Sequence, residues 1–156
     1  MTLHHVAHGA DAMRAFGARL ARALNAAPAA APLLVTLSGD LGAGKTTLVG
    51  GLLAELGHAG PARSPTYTLV EPYRLRNRDI VHCDLYRLRH PQELDDLGLR
   101  DMQGPGSVML VEWPEKADGR LGLPDLALAL DYAEPDARSI RLDALTPAGE
   151  DALVGF

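Results

Sequence analysis

The sequence predicts an α/β fold, a three-layer sandwich in which helices cover a central mixed, mostly parallel sheet. Short apolar segments rich in strand-forming residues alternate with segments whose apolar residues recur at helical spacing. One of the first strands runs into a glycine-rich loop, and a helical pattern follows that loop. Because strands of such a sheet end at a common edge, we expect functional groups at the carboxyl ends of the central strands.

The N-terminal half supplies the first helix and the loop unit. Apolar residues at helical intervals predict a helix over residues 11–25, and a proline-containing connector follows over 26–32. The apolar segment 33–37 is predicted as a buried strand, and leucines at helical spacing predict a helix over 46–56.

The second half is richer in strands. Residues 67–73 and 79–86 are predicted to form an antiparallel hairpin, and residues 107–112 a strand buried on both faces. A short helix is expected over 91–97, with Pro91 in its first turn. A final strand pair over 126–132 and 139–145 and a weak terminal helix complete the prediction.

Length and composition restrict the class of protein. At 156 residues the chain is predicted to be a single domain over 1–156. We expect a cytoplasmic protein with no membrane segment: there is no long apolar run and no basic, apolar leader, and the single cysteine, Cys83, fits a reducing compartment. A net charge of −5 argues against a global nucleic-acid-binding face.

The loop at residues 39–46 has the spacing G-x-x-x-x-G-K-[ST] of a phosphate-binding loop, which predicts a P-loop NTPase fold. Lys45, one of only two lysines in the chain, would bind the β- and γ-phosphates and act in catalysis, and the Thr46 hydroxyl would bind Mg²⁺. The predicted nucleotide-binding residues are Asp40, Leu41, Gly42, Ala43, Gly44, Lys45, Thr46 and Thr47.

Two acids end apolar strands and are candidate catalytic and metal-binding residues. Asp84 follows residues 79–83, and Glu112 follows 108–111. Either could be the carboxylate that holds the metal of a nucleotide-hydrolysing site, directly or through water. The alternative for each is an acid that caps a helix or pairs with an arginine. Metal candidates are therefore Thr46, Asp84 and Glu112.

Other groups have weaker signals. Ser64, Thr66, Tyr67 and Thr68 are a candidate switch segment that would cover the γ-phosphate, or else a surface turn. Trp113 is either a wall of the site or core, and His82 is favoured as a core or hydrogen-bonded histidine over a metal ligand. A solvated edge is favoured over a docking patch for the arginines, which are Arg74, Arg76, Arg78, Arg87 and Arg89.

Four segments together resemble the TsaE (YjeE) family, the P-loop ATPases of bacterial threonylcarbamoyladenosine tRNA modification. These segments are residues 39–47 (GDLGAGKTT), 64–73 (SPTYTLVEPY), 82–88 (HCDLYRL) and 111–114 (VEWP). They occur in family order and at family spacing, and the likeness weakens before residue 33 and after 145. Cys83 departs from the family, which usually has an aromatic residue there.

The resemblance implies that the loop over residues 40–46 binds ATP, that Thr46 and Glu112 hold Mg²⁺, and that Asp84 is an essential acid. It further implies a switch at residues 64–68, Trp113 beside the nucleotide, and adenine contacts near residues 9–11 and at Arg138. The partners implied are the TsaB and TsaD proteins, with tRNA engaged indirectly through that complex.

Three other functions remain open: a small-molecule kinase, a GTPase-type switch, and a nucleotide-gated binding module with negligible turnover. The kinase is disfavoured because we find no arginine-rich lid and little room for an acceptor pocket. The GTPase is disfavoured because the guanine-reading sequence Asn-Lys-x-Asp is absent. The binding module differs from the ATPase only in turnover, which partner-stimulated hydrolysis would reveal.

Overall fold

The computed structural model describes residues 1–28, 31–63 and 65–156. Within them, seven strands form one sheet, and we number them β1 to β7 in chain order: Thr2–His8, Leu33–Ser38, Val70–Arg74, Asp79–Asp84, Val108–Glu112, Leu126–Glu134 and Ala137–Ala144. The α-helices α1 to α3 are Gly9–Ala26, Lys45–Glu55 and Pro147–Ala152. Three short 3₁₀ helices are Pro91–Asp96, Leu99–Met102 and Pro114–Ala117.

The sheet is parallel in its centre and antiparallel at both sides. Its order is β1-β7-β6-β2-β5-β4-β3, and the pairings among β6, β2, β5 and β4 are parallel. The outer pairs, β1–β7, β7–β6 and β4–β3, are antiparallel. This arrangement confirms the predicted mixed α/β sheet, and it places the continuous apolar strands β2 and β5 in the middle, where both faces are buried.

The two faces of the sheet are covered differently. On one face α1 and α2 pack together over the larger core, which includes Leu20, Leu52, Val35 and Leu128. The opposite core, which includes Leu94, Leu99 and Ala117, is covered by the 3₁₀ helices and their connections. The third layer of the sandwich is therefore thin, because its 3₁₀ helices are only four to six residues long.

The crossing of α1 and α2 depends on two glycines. A Cβ atom added at Gly17 would lie 2.0 Å from the Leu48 carbonyl oxygen, and one added at Gly51 would lie 2.2 Å from that of Arg14. The helix backbones therefore approach too closely for any larger residue at either position. Because α2 begins directly at the glycine-rich loop, this crossing also fixes where the loop lies.

Several predictions need correction in detail. The helix expected over 91–97 is a 3₁₀ helix, and the strand expected from residue 67 starts only at Val70, after a turn in which the Leu69 N–H donates to the Pro65 carbonyl oxygen at 2.7 Å. No element was predicted for Thr2–His8, which forms edge strand β1. Three of its seven residues are histidines, and only Ala7 is fully buried, so the apolar alternation that signals a strand is weak.

Arg78 contradicts the prediction of a solvated arginine edge. Its guanidinium is buried and donates to the carbonyl oxygens of Leu24 at 2.7 Å and Gly106 at 3.2 Å, and to that of Ala27. These contacts bind the C-terminal end of α1 to the loop before β5 and satisfy carbonyls that the helix leaves open. The other four arginines of that group, Arg74, Arg76, Arg87 and Arg89, are exposed as predicted.

Candidate functional site

The glycine-rich loop lies between β2 and α2 with a backbone suited to an anion. Gly42 and Gly44 have φ angles of 80° and 102°, in the left-handed region that favours glycine. Gly44 directly precedes the first residue of α2, so the free N–H groups and the positive dipole end of this 11-residue helix face the loop. A phosphate group fits such a helix start.

Lys45 is buried, and the loop itself holds its side chain. The Nζ donates to the carbonyl oxygens of Gly39 and Asp40, the second at 3.2 Å, and lies 4.0 Å from the centre of the Trp113 ring. Burial lowers the pKa of Lys45, and the negative charge of Glu112 is the first of several that oppose this shift. Lys45 is therefore a cation whose present partners are neutral carbonyls, which an anionic phosphate can outcompete.

The two predicted acids lie side by side at the ends of adjacent strands. Asp84 and Glu112 are directly paired in the register of β4 and β5, and both are at least nine-tenths buried. The hydroxyl of Thr46, which is exposed, lies 3.1 Å from Glu112 Oε1 and 3.3 Å from Oε2. Sequence reasoning correctly brings the loop threonine and the strand-end acids together, and hydroxyl and carboxylate oxygens are the ligands that Mg²⁺ prefers.

The pKa of Asp84 is raised above its ordinary value. Burial raises its pKa, the neighbouring charge of Glu112 raises it further, and the N–H of Tyr86, which donates to Asp84 Oδ1 at 3.0 Å, acts in the opposite sense. A carboxylate whose pKa is shifted towards neutrality is a better proton acceptor than an ordinary one.

His82 is fully buried and contacts the other acid of the site, Glu112. Its Nε2 lies 2.6 Å from Glu112 Oε2. The prediction of a hydrogen-bonded core histidine is confirmed, but the sequence did not reveal the partner. The spacing of two between His82 and Asp84 is the available signal, because it places both side chains on one face of β4.

These groups surround a cleft of about 400 Å³. Its lining residues are Asp40, Leu41, Gly42, Ala43, Gly44, Lys45, Thr46, Thr47, Thr66, Asp84, Tyr86, Arg87, Glu112 and Trp113. Trp113 thus lies in the wall of the cleft, which is one of the two positions that the sequence left open. Tyr86, with its ring centre 4.9 Å from that of Trp113, and Arg87 were missed as site residues; their position just after Asp84 is the signal that could have found them.

The predicted switch residues are only partly at the cleft. Thr66 is among the lining residues. Tyr67 is 82% exposed, with the Arg87 guanidinium 4.6 Å from its ring centre, and the Thr68 hydroxyl bonds Glu71 at 3.3 Å. Ser64 lies outside the described residues. The switch role of this segment stays a prediction.

Arg138 lies on the other side of the loop, where a second hollow of about 220 Å³ opens. Gly9, Ala10, Met13, Gly42, Gly44, Thr47, Asp136 and Arg138 line it. The Nε of Arg138 donates to the Gly42 carbonyl oxygen at 3.3 Å, and its guanidinium lies 4.2 Å from the ring centre of Tyr132. The start of α1 and Arg138, expected from resemblance at the adenine, therefore meet beside the loop.

Comparison with known proteins agrees with this geometry. A family model described as "Threonylcarbamoyl adenosine biosynthesis protein TsaE" matches residues 7–140. A relative in Haemophilus influenzae, the tRNA threonylcarbamoyladenosine biosynthesis protein TsaE, is 44% identical over 144 residues, which are 92% of this chain and 90% of the relative. The protein of that name in Streptomyces coelicolor is 42% identical over 142 residues, covering 88% and 92%.

A solved structure supports the same conclusion. The crystal structure of YdiB from Bacillus subtilis superposes with a TM-score of 0.72 at 30% sequence identity, covering 97% of this chain and 91% of that one. Both the sequence match and the structural match extend over nearly the whole chain. The chain belongs to the TsaE family.

Proposed function

We propose that this protein binds ATP with Mg²⁺, hydrolyses the ATP, and serves the biosynthesis of threonylcarbamoyladenosine in tRNA. The observation that carries the proposal is the convergence of Lys45, Thr46, Asp84 and Glu112 on one cleft at the start of α2. A cradle of backbone N–H groups, a cation, a hydroxyl and two buried acids are the parts that phosphoryl transfer to water requires.

The residues have distinct roles in this proposal. Lys45 leaves the loop carbonyls and binds phosphate oxygens, while the loop N–H groups bind the rest of the phosphate chain. Thr46 and Glu112 would hold Mg²⁺, which supplies positive charge to the phosphates. Asp84, with its raised pKa, orients the attacking water and accepts its proton. Trp113 and Tyr86 close the cleft laterally.

The biological role is proposed from the relatives, whose names assign them to tRNA threonylcarbamoyladenosine biosynthesis. We propose that the chain acts in the cytoplasm on a TsaB–TsaD complex and that hydrolysis resets this partner. The net charge of −5 fits an accessory subunit that leaves the contact with tRNA to its partners. Among the described residues, no helix combines the length and apolar character of a membrane span.

The decisive experiment is ATP turnover by the purified chain alone, with TsaB–TsaD, and with TsaB–TsaD and tRNA. We expect slow hydrolysis alone and stimulation by the complex, with Glu112→Gln lowering both by roughly 10- to 100-fold. Tight ATP binding without stimulated turnover would instead support a nucleotide-gated binding module. Phosphate transfer to a small metabolite would support a kinase.

A further inference from the structure

We propose that His82 is a positioning residue that orients the carboxylate of Glu112 and thereby sets the affinity of the site for Mg²⁺. The proposal rests on the proposed function, because it concerns how the same cleft takes up the metal. Its basis is the hydrogen bond of 2.6 Å between His82 Nε2 and Glu112 Oε2, in which both side chains are almost completely buried.

The hydrogen-bond pattern specifies how the imidazole acts. Glu112 Oε2 is an acceptor, so Nε2 carries the shared proton and donates it. The other ring nitrogen, Nδ1, is buried and has no hydrogen-bond partner among the described residues. A bare nitrogen tolerates that position better than a buried N–H without an acceptor, so these contacts favour a ring proton on Nε2. In the part of the chain that the structure describes, Glu112 is thus the single hydrogen-bond partner of the His82 imidazole.

The register of β4 and β5 places His82 close to Glu112. His82 pairs with Leu110 in the parallel ladder of β4 and β5, and Asp84 pairs with Glu112. The imidazole therefore reaches Glu112 along the diagonal of the ladder, a separation that long side chains span. Both residues lie on strands and not on loops, and they are already in contact, as in a preorganised site.

The orientation matters because Glu112 has competing neighbours. Asp84, its register partner, carries like charge when ionised, whereas Thr46 lies 3.1 Å from Oε1. With Oε2 held by His82, Oε1 is the nearer of the two oxygens to the Thr46 hydroxyl, at 3.1 Å against 3.3 Å for Oε2, and the proposed metal would bind there. A donor to the far oxygen of a ligating carboxylate fixes its rotation and raises metal affinity, as outer groups around metal ligands generally do.

Two variants that both carry a side-chain amide, but differ in its length, separate loss of the hydrogen bond from a general loss of stability. In His82→Gln the side-chain amide nitrogen reaches the position of Nε2, whereas in His82→Asn it extends only as far as Nδ1. Cys83→Ala is the matched control, since Cys83 is equally buried on β4 but belongs to the core on the opposite face. Circular dichroism confirms that each variant is folded.

The readout is nucleotide binding followed by the fluorescence of Trp113, the only tryptophan, which lies against Lys45. Two separate titrations are made. In the first, ATP is added in the presence of excess EDTA; in the second, Mg²⁺ is added at saturating ATP without EDTA. We expect His82→Asn to weaken the affinity for Mg²⁺ by roughly 10- to 100-fold, with little change in the affinity for ATP measured in EDTA. His82→Gln should restore most of the affinity for Mg²⁺. An unchanged response in His82→Asn, or an equal loss in Cys83→Ala, overturns the proposal.

A measurement without nucleotide keeps the inference separate from the proposed function. In nitrogen-15 NMR, the histidine signal that disappears in His82→Gln identifies residue 82. We expect its Nε2 to be protonated and its N–H proton to lie far downfield, and to move upfield in Glu112→Gln. A shift insensitive to Glu112→Gln refutes the orienting bond, whereas absence of Mg²⁺–ATP binding in the wild type refutes the proposed function.

Discussion

At the scale of single residues, the site holds charges that the fold would be more stable without. Asp84 is buried beside Glu112, and its raised pKa means that the ionised carboxylate is disfavoured in the folded protein relative to the unfolded chain. The resulting penalty is complete above the folded pKa and disappears as the pH falls below about 3.9, the ordinary value for aspartate. The role that we propose for Asp84 and the stability of the fold therefore oppose each other.

We predict that Asp84→Asn stabilises the nucleotide-free protein at pH 7 while abolishing most ATP turnover. The amide oxygen can still accept the Tyr86 N–H, so only the charge is lost. The gain in the free energy of unfolding should shrink as the pH is lowered towards 4, because the wild-type carboxyl then becomes neutral too. Urea unfolding at pH 7 and at pH 4.5 checks this; a gain that grows on acidification contradicts it.

Lys45 provides a second prediction at this scale, with a control in the chain itself. Replacing Lys45 with Met removes a charge-assisted hydrogen bond to phosphate, which is worth about 1.5–3 kcal/mol, so ATP should bind roughly 10- to 150-fold more weakly. Lys116→Met removes the other lysine, which is exposed and outside the cleft lining. Calorimetric titration with ATP should show near wild-type affinity for it. Equal losses in both variants would assign the effect to net charge.

At the scale of elements, the crossing of α1 and α2 connects packing to the phosphate-binding loop. Gly17→Ala places a methyl group on the Leu48 carbonyl, which forces the helices apart and should destabilise the protein by about 1–3 kcal/mol. Gly50→Ala is the control, because open space surrounds that position, and it should stabilise α2 by roughly 0.5–1 kcal/mol. Urea unfolding of the two variants should give changes of opposite sign.

The contact of Arg78 with the end of α1 gives another prediction at this scale. Arg78→Met removes a donor from the carbonyls of Ala27 and Gly106 and leaves the Leu24 carbonyl with only the Ala27 N–H, and an unsatisfied buried group costs about 1–3 kcal/mol. Arg76→Met, two residues away and exposed, should change the free energy of unfolding by no more than about 0.5 kcal/mol. Thermal unfolding distinguishes them, and similar melting temperatures would deny Arg78 its structural role.

At the scale of the whole molecule, nucleotide and fold should be thermodynamically linked. The cleft receives residues from the glycine-rich loop, from the ends of β4 and β5 and from the turn before β3, so ATP bound there would contact several elements at once. Ligand at 100 times its dissociation constant stabilises by about 2.7 kcal/mol, which is roughly 5–10 °C in melting temperature for a chain of this size. At the same concentration, Mg²⁺–ATP should produce this shift in the wild type and a clearly smaller one in Lys45→Met, because that variant binds ATP more weakly.

The sequence was most informative where a physical constraint is local. The loop needs glycines at left-handed positions such as Gly42 and Gly44, and strands that end in acids place Asp84 and Glu112 at one edge. Local signals failed where partners lie far along the chain. The Arg78 side chain is buried by carbonyls 28 to 54 residues away, which no periodicity encodes. The single domain over residues 1–156 stays a prediction.

The pairing of β4 with β5 has an evolutionary consequence. The acids Asp84 and Glu112 are held opposite each other by main-chain hydrogen bonds, which do not depend on side-chain identity. Position 83, between His82 and Asp84, faces the opposite core, so its side chain can change without moving either neighbour. We therefore expect substitutions at position 83 to change the packing of the core behind the site while Asp84 and Glu112 stay opposite each other.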